Sequence, residues 1–166
     1  MIHARHSLTG NPVAISIGSG KYTGIDNIDT KDTSLPWIAP GLVDIQINGF
    51  GGIDFNSPIN DFSDWEKACT ALYKNGTTHF LATLITNTSE QTKTLIKGLE
   101  QQRKTNPFNC IGYHMEGPFL NPSPSCRGAH NPDWMIPPDP AILDRWQTLT
   151  QSQVKLITLA PELHSN

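Results

Sequence analysis

The chain has 166 residues, of which 12 are Lys or Arg and 15 are Asp or Glu, so its formal net charge is −3. This balance disfavours nucleic-acid binding, which usually depends on a basic patch. The length fits roughly one domain of about 100 to 200 residues and is too short for a complete eightfold α/β barrel, which needs about 250. No stretch approaches the roughly 18 apolar residues of a membrane span, and the first residues lack the apolar run of a signal peptide. We therefore expect a cytoplasmic protein without nucleic-acid or membrane partners.

The first 40 residues predict a small β element. Residues 13–17 alternate apolar with small side chains, and a second, weaker strand is predicted over residues 22–28, after a turn that contains glycine. Two prolines and a glycine between residues 36 and 41 then indicate a change of structure.

The rest of the chain alternates predicted strands with predicted helices. In order, we predict a strand at 42–48, a helix that starts with a capping box at 63–66 and stops at Gly76, a strand at 77–86, a helix at 89–104, a strand at 110–116, a short helix around 142–146 and a strand at 154–159. Repeated βα units indicate parallel strands joined by right-handed crossovers. In such folds the reacting groups lie at the carboxyl ends of the strands and in the loops that follow them.

The first of these strands carries polar residues on one face. Asp44, Gln46 and Asn48 alternate with apolar residues at 43, 45 and 47 and are expected to point to the opposite side. In a strand covered by helices, three such side chains would lose water without gaining a partner, so in that setting the pattern would indicate a functional site. An edge strand with one face in water is the alternative interpretation.

The strand at 110–116 ends in a second polar pair. His114 and Glu116 are two residues apart and therefore project to the same side. An imidazole and a carboxylate at a strand end can bind a divalent metal such as zinc, act as a general acid and base, or form a structural ion pair. One His and one Glu are fewer than the three protein ligands that a catalytic zinc ion usually takes.

A long proline-rich loop, residues 117–140, follows that strand. Loops of this length between strand and helix are more often functional than not. Arg127, His130 and the backbone around Gly128 suit an anionic or hydroxylated ligand. A surface loop stiffened by its prolines is the alternative.

Five segments of the chain occur in the order of a known family. They are WIAPGLVDIQINGFGGIDFN, NGTTHFLATLITN, GYHMEGPFLNP, GAHNPD and TLAPE. With them, residues 36–162 resemble the N-terminal half of the N-acetylglucosamine-6-phosphate deacetylases of the amidohydrolase superfamily, apart from a slightly longer loop before Gly128. The resemblance implies an α/β fold in which residues 39–166 form the first four βα units of a (β/α)8 TIM barrel of the metal-dependent hydrolase type. Residues 1–38 would then be the N-terminal segment of a small β-sandwich.

The resemblance also implies a reaction, in amino-sugar metabolism. The full-length protein would hydrolyse the acetamide of N-acetylglucosamine 6-phosphate to glucosamine 6-phosphate and acetate, with one divalent metal ion as cofactor. Zn²⁺ is the expected ion, with Fe²⁺ or another divalent ion as alternatives. The small-molecule partner would be the amino-sugar phosphate, and the full-length form is expected to be a homo-oligomer.

The family motifs assign roles to six residues of this sequence. Glu116 matches the metal-binding glutamate, while Ala129 and His130 match the positions that contact the sugar. Gln46 and Asn48 stand where the superfamily usually has a His-x-His metal pair. Amides are poor zinc ligands, so these two residues, and His114, are expected near the metal or one contact away from it.

The same resemblance places the general-base aspartate and two histidine ligands beyond Asn166. The chain is therefore expected to be a fragment or truncated form that is inactive alone. Two alternatives stay open. The first is another amidohydrolase, acting on a cyclic amide or a different N-acetyl sugar. The second is a non-catalytic half-barrel that self-associates or pairs with a second chain through its exposed strand edges.

Overall fold

The computed structural model describes residues 1–59, 61–105 and 110–163, and the chain divides into two compact units, Met1–Gly41 and Leu42–Asn166. The first unit contains one four-stranded sheet. Its strands are β1 (Ile2–His6), β2 (Pro12–Gly18), β3 (Lys21–Asn27) and β4 (Trp37–Ile38), in the order β3-β2-β1-β4. β1 pairs antiparallel with β2 and parallel with β4, and β2 pairs antiparallel with β3. The two predicted strands are confirmed as β2 and β3.

The second unit is a parallel four-stranded sheet with helical crossovers. In chain order it contains β5 (Leu42–Ile47), the short strands β6 (Gly49–Phe50) and β7 (Ile53–Asp54), α1 (Phe62–Lys74), β8 (Thr77–Ile85), α2 (Ser89–Thr105), β9 (Cys110–Glu116), α3 (Pro140–Leu149) and β10 (Val154–Thr158). The sheet order is β10-β9-β8-β5, and all three pairings are parallel. This is the parallel sheet that the alternating pattern predicts. Among the described residues, no helix is both long and apolar enough to cross a membrane.

The predicted start of the first helix in this unit is wrong. Helix α1 begins at Phe62 and its N-cap is Asp61, whose carboxylate accepts the N–H of Ser63 at 2.8 Å, so the capping box does not start at Ser63. An aspartate is a strong N-cap because its charge also complements the positive end of the helix dipole. The apolar residues of β5 differ in burial, since Ile47 is buried whereas Val43 and Ile45 are 55% and 57% exposed. β5 is an outer strand of the sheet, which agrees with the alternative interpretation of its sequence as an edge strand.

Aromatic side chains form the centre of the core under α1. Phe55, Trp65 and Phe80 are fully buried, and their ring centroids lie 5.7 to 5.8 Å from one another. Aromatic pairs at this separation attract each other beyond the gain from burying their area. The cluster fixes α1 and the segment after β7 against β8.

A buried polar cluster ties α2 to β9. The Tyr113 hydroxyl donates to Glu100 Oε1 at 2.9 Å, and Arg103 donates from Nε and Nη2 to the two Glu100 oxygens at 2.6 and 3.2 Å. The burial of Tyr113 and the neighbouring Glu100 carboxylate raise the pKa of the phenol, so the hydroxyl keeps its proton. This bidentate ion pair and its bond to Tyr113 fix the strand that ends in Glu116.

A side chain at position 112 is expected to destabilise the edge of this sheet. Gly112 in β9 has a φ of +155°, and a Cβ there would overlap the Gln153 carbonyl oxygen, which accepts the N–H of Tyr113 at 2.8 Å. Gly112→Ala should therefore lower the free energy of unfolding by about 2 to 4 kcal/mol. The urea midpoint measures the effect. Gly24→Ala is the control, because its Cβ meets nothing nearer than 3.8 Å, and equal losses in both variants would contradict the prediction.

Candidate active site

The candidate site is centred on a carboxylate at the carboxyl end of β9. Glu116 is the last residue of that strand, and the loop behind it returns so that His130 Nε2 lies 3.7 Å from Glu116 Oε1. Both side chains are mostly buried, with 15% of His130 and 20% of Glu116 exposed. The structure thus brings together a strand-end residue and a loop residue that the sequence singled out separately.

A short turn places His130 over the strand end. The N–H of His130 donates to the Arg127 carbonyl at 3.1 Å, and Gly128 within this turn has a φ of +55°, a left-handed conformation that glycine adopts at little cost. Ala129 is exposed and adjacent to His130. The loop is therefore folded against the strand end, with one side chain turned inward.

Thr86, which the sequence analysis did not single out, joins these two residues. It directly follows β8, is 2% exposed, and its Oγ1 lies 3.0 Å from His130 Nδ1 and 3.4 Å from the Glu116 carbonyl oxygen. The sequence did contain a signal for it, since Thr86 is a polar residue at the carboxyl end of a predicted parallel strand.

His114 ties the sheet together from the middle of β9. Its ring is 1% exposed, with Nδ1 3.1 Å from the Ile45 carbonyl oxygen and Nε2 2.7 Å from Thr158 Oγ1. Ile45 lies on β5 and Thr158 on β10, so one imidazole connects the two outer strands. Because a carbonyl oxygen only accepts, Nδ1 carries the proton, and the neutral ring accepts the Thr158 hydroxyl at Nε2. Both nitrogens of His114 are engaged with these groups, so the imidazole that faces the Glu116 carboxylate is that of His130.

The two amides at the end of β5 have different surroundings. Gln46 is exposed, and its backbone N–H donates to Asp44 Oδ1 at 3.0 Å. Asn48 follows the strand, is also exposed, and donates from Nδ2 to the Thr83 carbonyl at 3.5 Å. Asn48 is thus attached to the neighbouring strand, whereas the side chain of Gln46 is open to solvent.

Asn56 is a further residue that the sequence analysis missed. Its Nδ2 donates to the Thr83 carbonyl at 3.1 Å, and its Oδ1 accepts the N–H of Ile85 at 2.9 Å. The amide thus makes the two bonds that a neighbouring strand would make with the carboxyl end of β8. Nothing in the local pattern distinguishes it from a loop asparagine. It fixes the backbone immediately before Thr86.

This chain is similar to known proteins in both sequence and structure. No family model matches the chain. N-acetylglucosamine-6-phosphate deacetylase of Bacillus subtilis is 33% identical over 130 residues, which are 75% of this chain and 32% of that protein. The Danio rerio deacetylase is 34% identical over 130 residues, 76% of this chain and 32% of its own length. This chain is a homologue of these deacetylases. It spans about a third of the length of the curated relatives it matches.

This chain also superimposes on part of the fold of solved deacetylases. The N-acetyl-D-glucosamine-6-phosphate deacetylase of Mycobacterium smegmatis superimposes with a TM-score of 0.76 at 27% identity, covering 91% of this chain and 43% of that one. A mutant of that enzyme, in complex with N-acetyl-D-glucosamine-6-phosphate, gives 0.77 at 26% identity and covers 98% of this chain and 44% of its own. The resemblance to the amidohydrolase barrel is thus confirmed, with the four parallel strands as its half-barrel.

Whether this deacetylase homologue can hold a metal ion depends on which of its side chains can act as ligands. The Glu116 carboxylate lies at the end of β9, and a carboxylate is one of the ligand types that zinc accepts. Among the described residues, however, no group of three or more His, Cys, Asp or Glu side chains could hold a metal ion. The general-base aspartate predicted beyond Asn166 lies outside the described residues. Glu116 therefore fits as one ligand of a site that these residues do not complete.

The folded deacetylase homologue is expected to lose stability as the pH falls through 6.5. Burial lowers the pKa of His114 below its usual 6.5, although Glu116 and the bond to Ile45 partly oppose this shift. The unfolded chain therefore takes up the proton first as the pH falls, and stability is lost between 6.5 and the lower folded pKa.

Urea midpoints between about pH 7 and pH 5 measure this dependence. His114→Gln should be less stable than the wild type at neutral pH and show a shallower fall of the midpoint. His79→Gln, at an exposed histidine, should keep the wild-type slope. The same slope in all three proteins would contradict the prediction.

Proposed function

We propose that this chain is part of an enzyme that hydrolyses the acetamide of N-acetylglucosamine 6-phosphate, releasing glucosamine 6-phosphate and acetate. The observation that carries the proposal is the contact between Glu116 and His130 at the carboxyl edge of the sheet, with 3.7 Å between Oε1 and Nε2. The family resemblance assigns one of these residues to the metal and the other to the sugar. Identity of 33% to the Bacillus subtilis deacetylase supports the same reaction.

We propose the following roles in the whole enzyme. Glu116 supplies one ligand to a single divalent metal ion, expected to be Zn²⁺, and the other strong ligands come from parts of the enzyme outside the described residues. When bound, such an ion polarises an amide carbonyl and lowers the pKa of its bound water to about 7. The general base is an aspartate from beyond residue 166. Gln46 and Asn48 lie near the metal, as does His114.

This chain's own residues prepare the substrate side of the site. His130 and Ala129 contact the sugar, and the mostly buried imidazole offers a ring nitrogen to a substrate hydroxyl or amide. His114 keeps the outer strands β5 and β10 attached to β9, so the strand ends that face the substrate keep their spacing. Side chains that are fixed in place in this way contribute to catalysis by orienting the substrate before reaction.

We also propose the architecture of the whole enzyme. The four parallel strands, within residues 39–166, are the first half of a (β/α)8 barrel, and residues 1–38 belong to a small β-sandwich. The enzyme is cytoplasmic and homo-oligomeric. The solved deacetylases that cover 91% and 98% of this chain support the barrel assignment.

The test is an acetate-release assay with the protein encoded by the complete reading frame. We expect turnover of N-acetylglucosamine 6-phosphate and little turnover of unphosphorylated N-acetylglucosamine. An epimeric N-acetyl sugar phosphate and a cyclic amide complete the panel, because they test the alternative amidohydrolase activities. Faster turnover of either of these two would overturn the proposed substrate.

The 166-residue polypeptide alone is expected to be inactive and to bind zinc only weakly. With one strong ligand in place of the usual three, a Kd above about 10 µM is expected. Isothermal titration with ZnCl₂ measures the affinity, and the acetate assay measures activity. Micromolar or tighter binding together with turnover by this polypeptide would refute the expectation.

A self-associating half-barrel is the second candidate. The observation that favours it is the outer strand β5, where Leu42, Val43 and Ile45 are 55% to 63% exposed. Exposed strand edges pair readily with a second chain. Light scattering that finds a monomer of this polypeptide would exclude self-association, whereas a stable dimer without acetate release from the complete protein would favour it over the enzyme.

A further inference from the structure

We propose that Thr86 is a positioning residue that sets the orientation and the protonated nitrogen of His130. The proposal rests on the proposed function for the role of His130 at the sugar. Thr86 lies where three segments meet, which are the end of β8, the end of β9 and the loop turn that carries His130. It is 2% exposed, so water does not replace the bonds of its hydroxyl.

The hydroxyl has two partners and only one hydrogen. Thr86 Oγ1 lies 3.4 Å from the Glu116 carbonyl oxygen and 3.0 Å from His130 Nδ1. A carbonyl oxygen only accepts, so the hydroxyl donates to Glu116 and must accept at its own oxygen from Nδ1–H. This assignment satisfies both contacts, and it holds for the neutral and for the charged ring. Nδ1 of His130 is therefore the nitrogen that keeps a proton.

The orientation of the ring follows from the same bond. An imidazole turns about a broad, roughly two-fold torsion, so packing alone distinguishes poorly between the two flipped arrangements. With Nδ1 held by Thr86, Nε2 is the nitrogen directed toward the Glu116 carboxylate, 3.7 Å away. The site then presents Nε2 and a carboxylate oxygen side by side.

The backbone next to Glu116 leaves room for this hydroxyl. Gly117 has a φ of +92°, and a Cβ there would overlap Thr86 Oγ1. From the other side, Asn56 holds the backbone of β8 just before Thr86 through its bonds to Thr83 and Ile85. The threonine is thus fixed on one side and accommodated on the other, which is the arrangement expected for a hydroxyl with a specific partner.

Substitutions of Thr86 in the protein encoded by the complete reading frame test the proposal. Thr86→Val keeps the side-chain shape and removes the hydroxyl, whereas Thr86→Ser keeps the hydroxyl. Thr94→Val, at an exposed threonine of α2, is the control. The first readout is the ¹⁵N signals of histidine rings in labelled protein, with His130 assigned from the signals lost in His130→Gln. We expect Nδ1 of His130 to be protonated in the wild type and in Thr86→Ser, and this preference to be lost in Thr86→Val.

The second readout is kinetic. Because His130 is assigned to sugar binding, Thr86→Val should raise KM about tenfold and change kcat less than about threefold, with Thr86→Ser close to the wild type. Unchanged ring signals in Thr86→Val, or equal losses in the valine and serine variants, would overturn the proposal. The ring signals need no turnover. A protein that fails to release acetate would therefore refute the proposed function and still test the role of Thr86.

Discussion

Replacing Glu116 with Gln in the complete protein is expected to lower acetate release by about a thousandfold or more. The change keeps the size of the side chain and removes the charge that would bind a metal ion. Loss of the polarisation that the ion provides is worth several kcal/mol, and about 4 kcal/mol corresponds to a thousandfold in rate. The bound metal, measured in the purified protein, should fall in parallel.

The control for this variant is Glu90→Gln. Glu90 lies in the first turn of α2, its side chain is 83% exposed, and its ion pair is with Lys93 in the same helix. Exposed pairs of this kind are worth little, so activity within about twofold of the wild type is expected. Glu116→Gln with normal metal content and activity would show that the carboxylate is not a ligand, even if the enzyme is a deacetylase.

Much of the barrel unit was predictable because its elements have strong local signals. The strand Cys110–Glu116 has the bounds expected from its sequence, and α2 ends one residue after its predicted end at 104. Alternating β-branched residues and a 3.6-residue apolar period both act over short distances. The order of the strands then follows from the preference for right-handed parallel crossovers.

The elements that were missed depend on partners far away in the sequence. β1 is a short strand, IHARH, whose pattern alone is weak, and it is stabilised by pairing with β2 on one side and β4 on the other. The hairpin of β6 and β7 has only two residues in each strand. Asp61 competes with Ser63 for the same helix start, and both residues are good caps. Such choices are decided by tertiary packing.

The site was predicted as a set of residues but not as a geometry. Strand-end position identified Glu116, and loop length identified His130, but their 3.7 Å contact depends on a turn that the sequence does not specify. His114 was expected to be close to Glu116 on the same face, and its partner Ile45 is 69 residues earlier in the chain. Thr86 has a local signal only in its strand-end position. The position of a polar residue at a strand end therefore predicts that it belongs to the site, whereas its contacts depend on the tertiary structure.

Replacing Trp65 with Ala is expected to give a large loss of stability, about 3 to 5 kcal/mol. Trp65 is fully buried, and its ring lies 5.7 Å from Phe55 and 5.8 Å from Phe80. Alanine would leave a cavity at the centre of the core, and the packing of α1 against β8 would lose its aromatic contacts. Urea unfolding followed by circular dichroism measures the change. Trp37→Ala, at a tryptophan that is 64% exposed, should cost no more than about 1 kcal/mol.

Trp65→Phe distinguishes the contribution of the aromatic ring from that of the indole N–H. Among the described residues the buried Trp65 Nε1 has no hydrogen-bond partner, and leaving such a donor unsatisfied costs about 1 to 3 kcal/mol. Phenylalanine removes that donor and keeps an aromatic ring between Phe55 and Phe80. Removing the unsatisfied donor therefore offsets part of the free-energy cost of the small cavity that phenylalanine leaves. We expect Trp65→Phe to cost less than about 2 kcal/mol, well below the alanine variant. Equal losses in both variants would show that the volume of the indole, and not aromatic contact, stabilises this core.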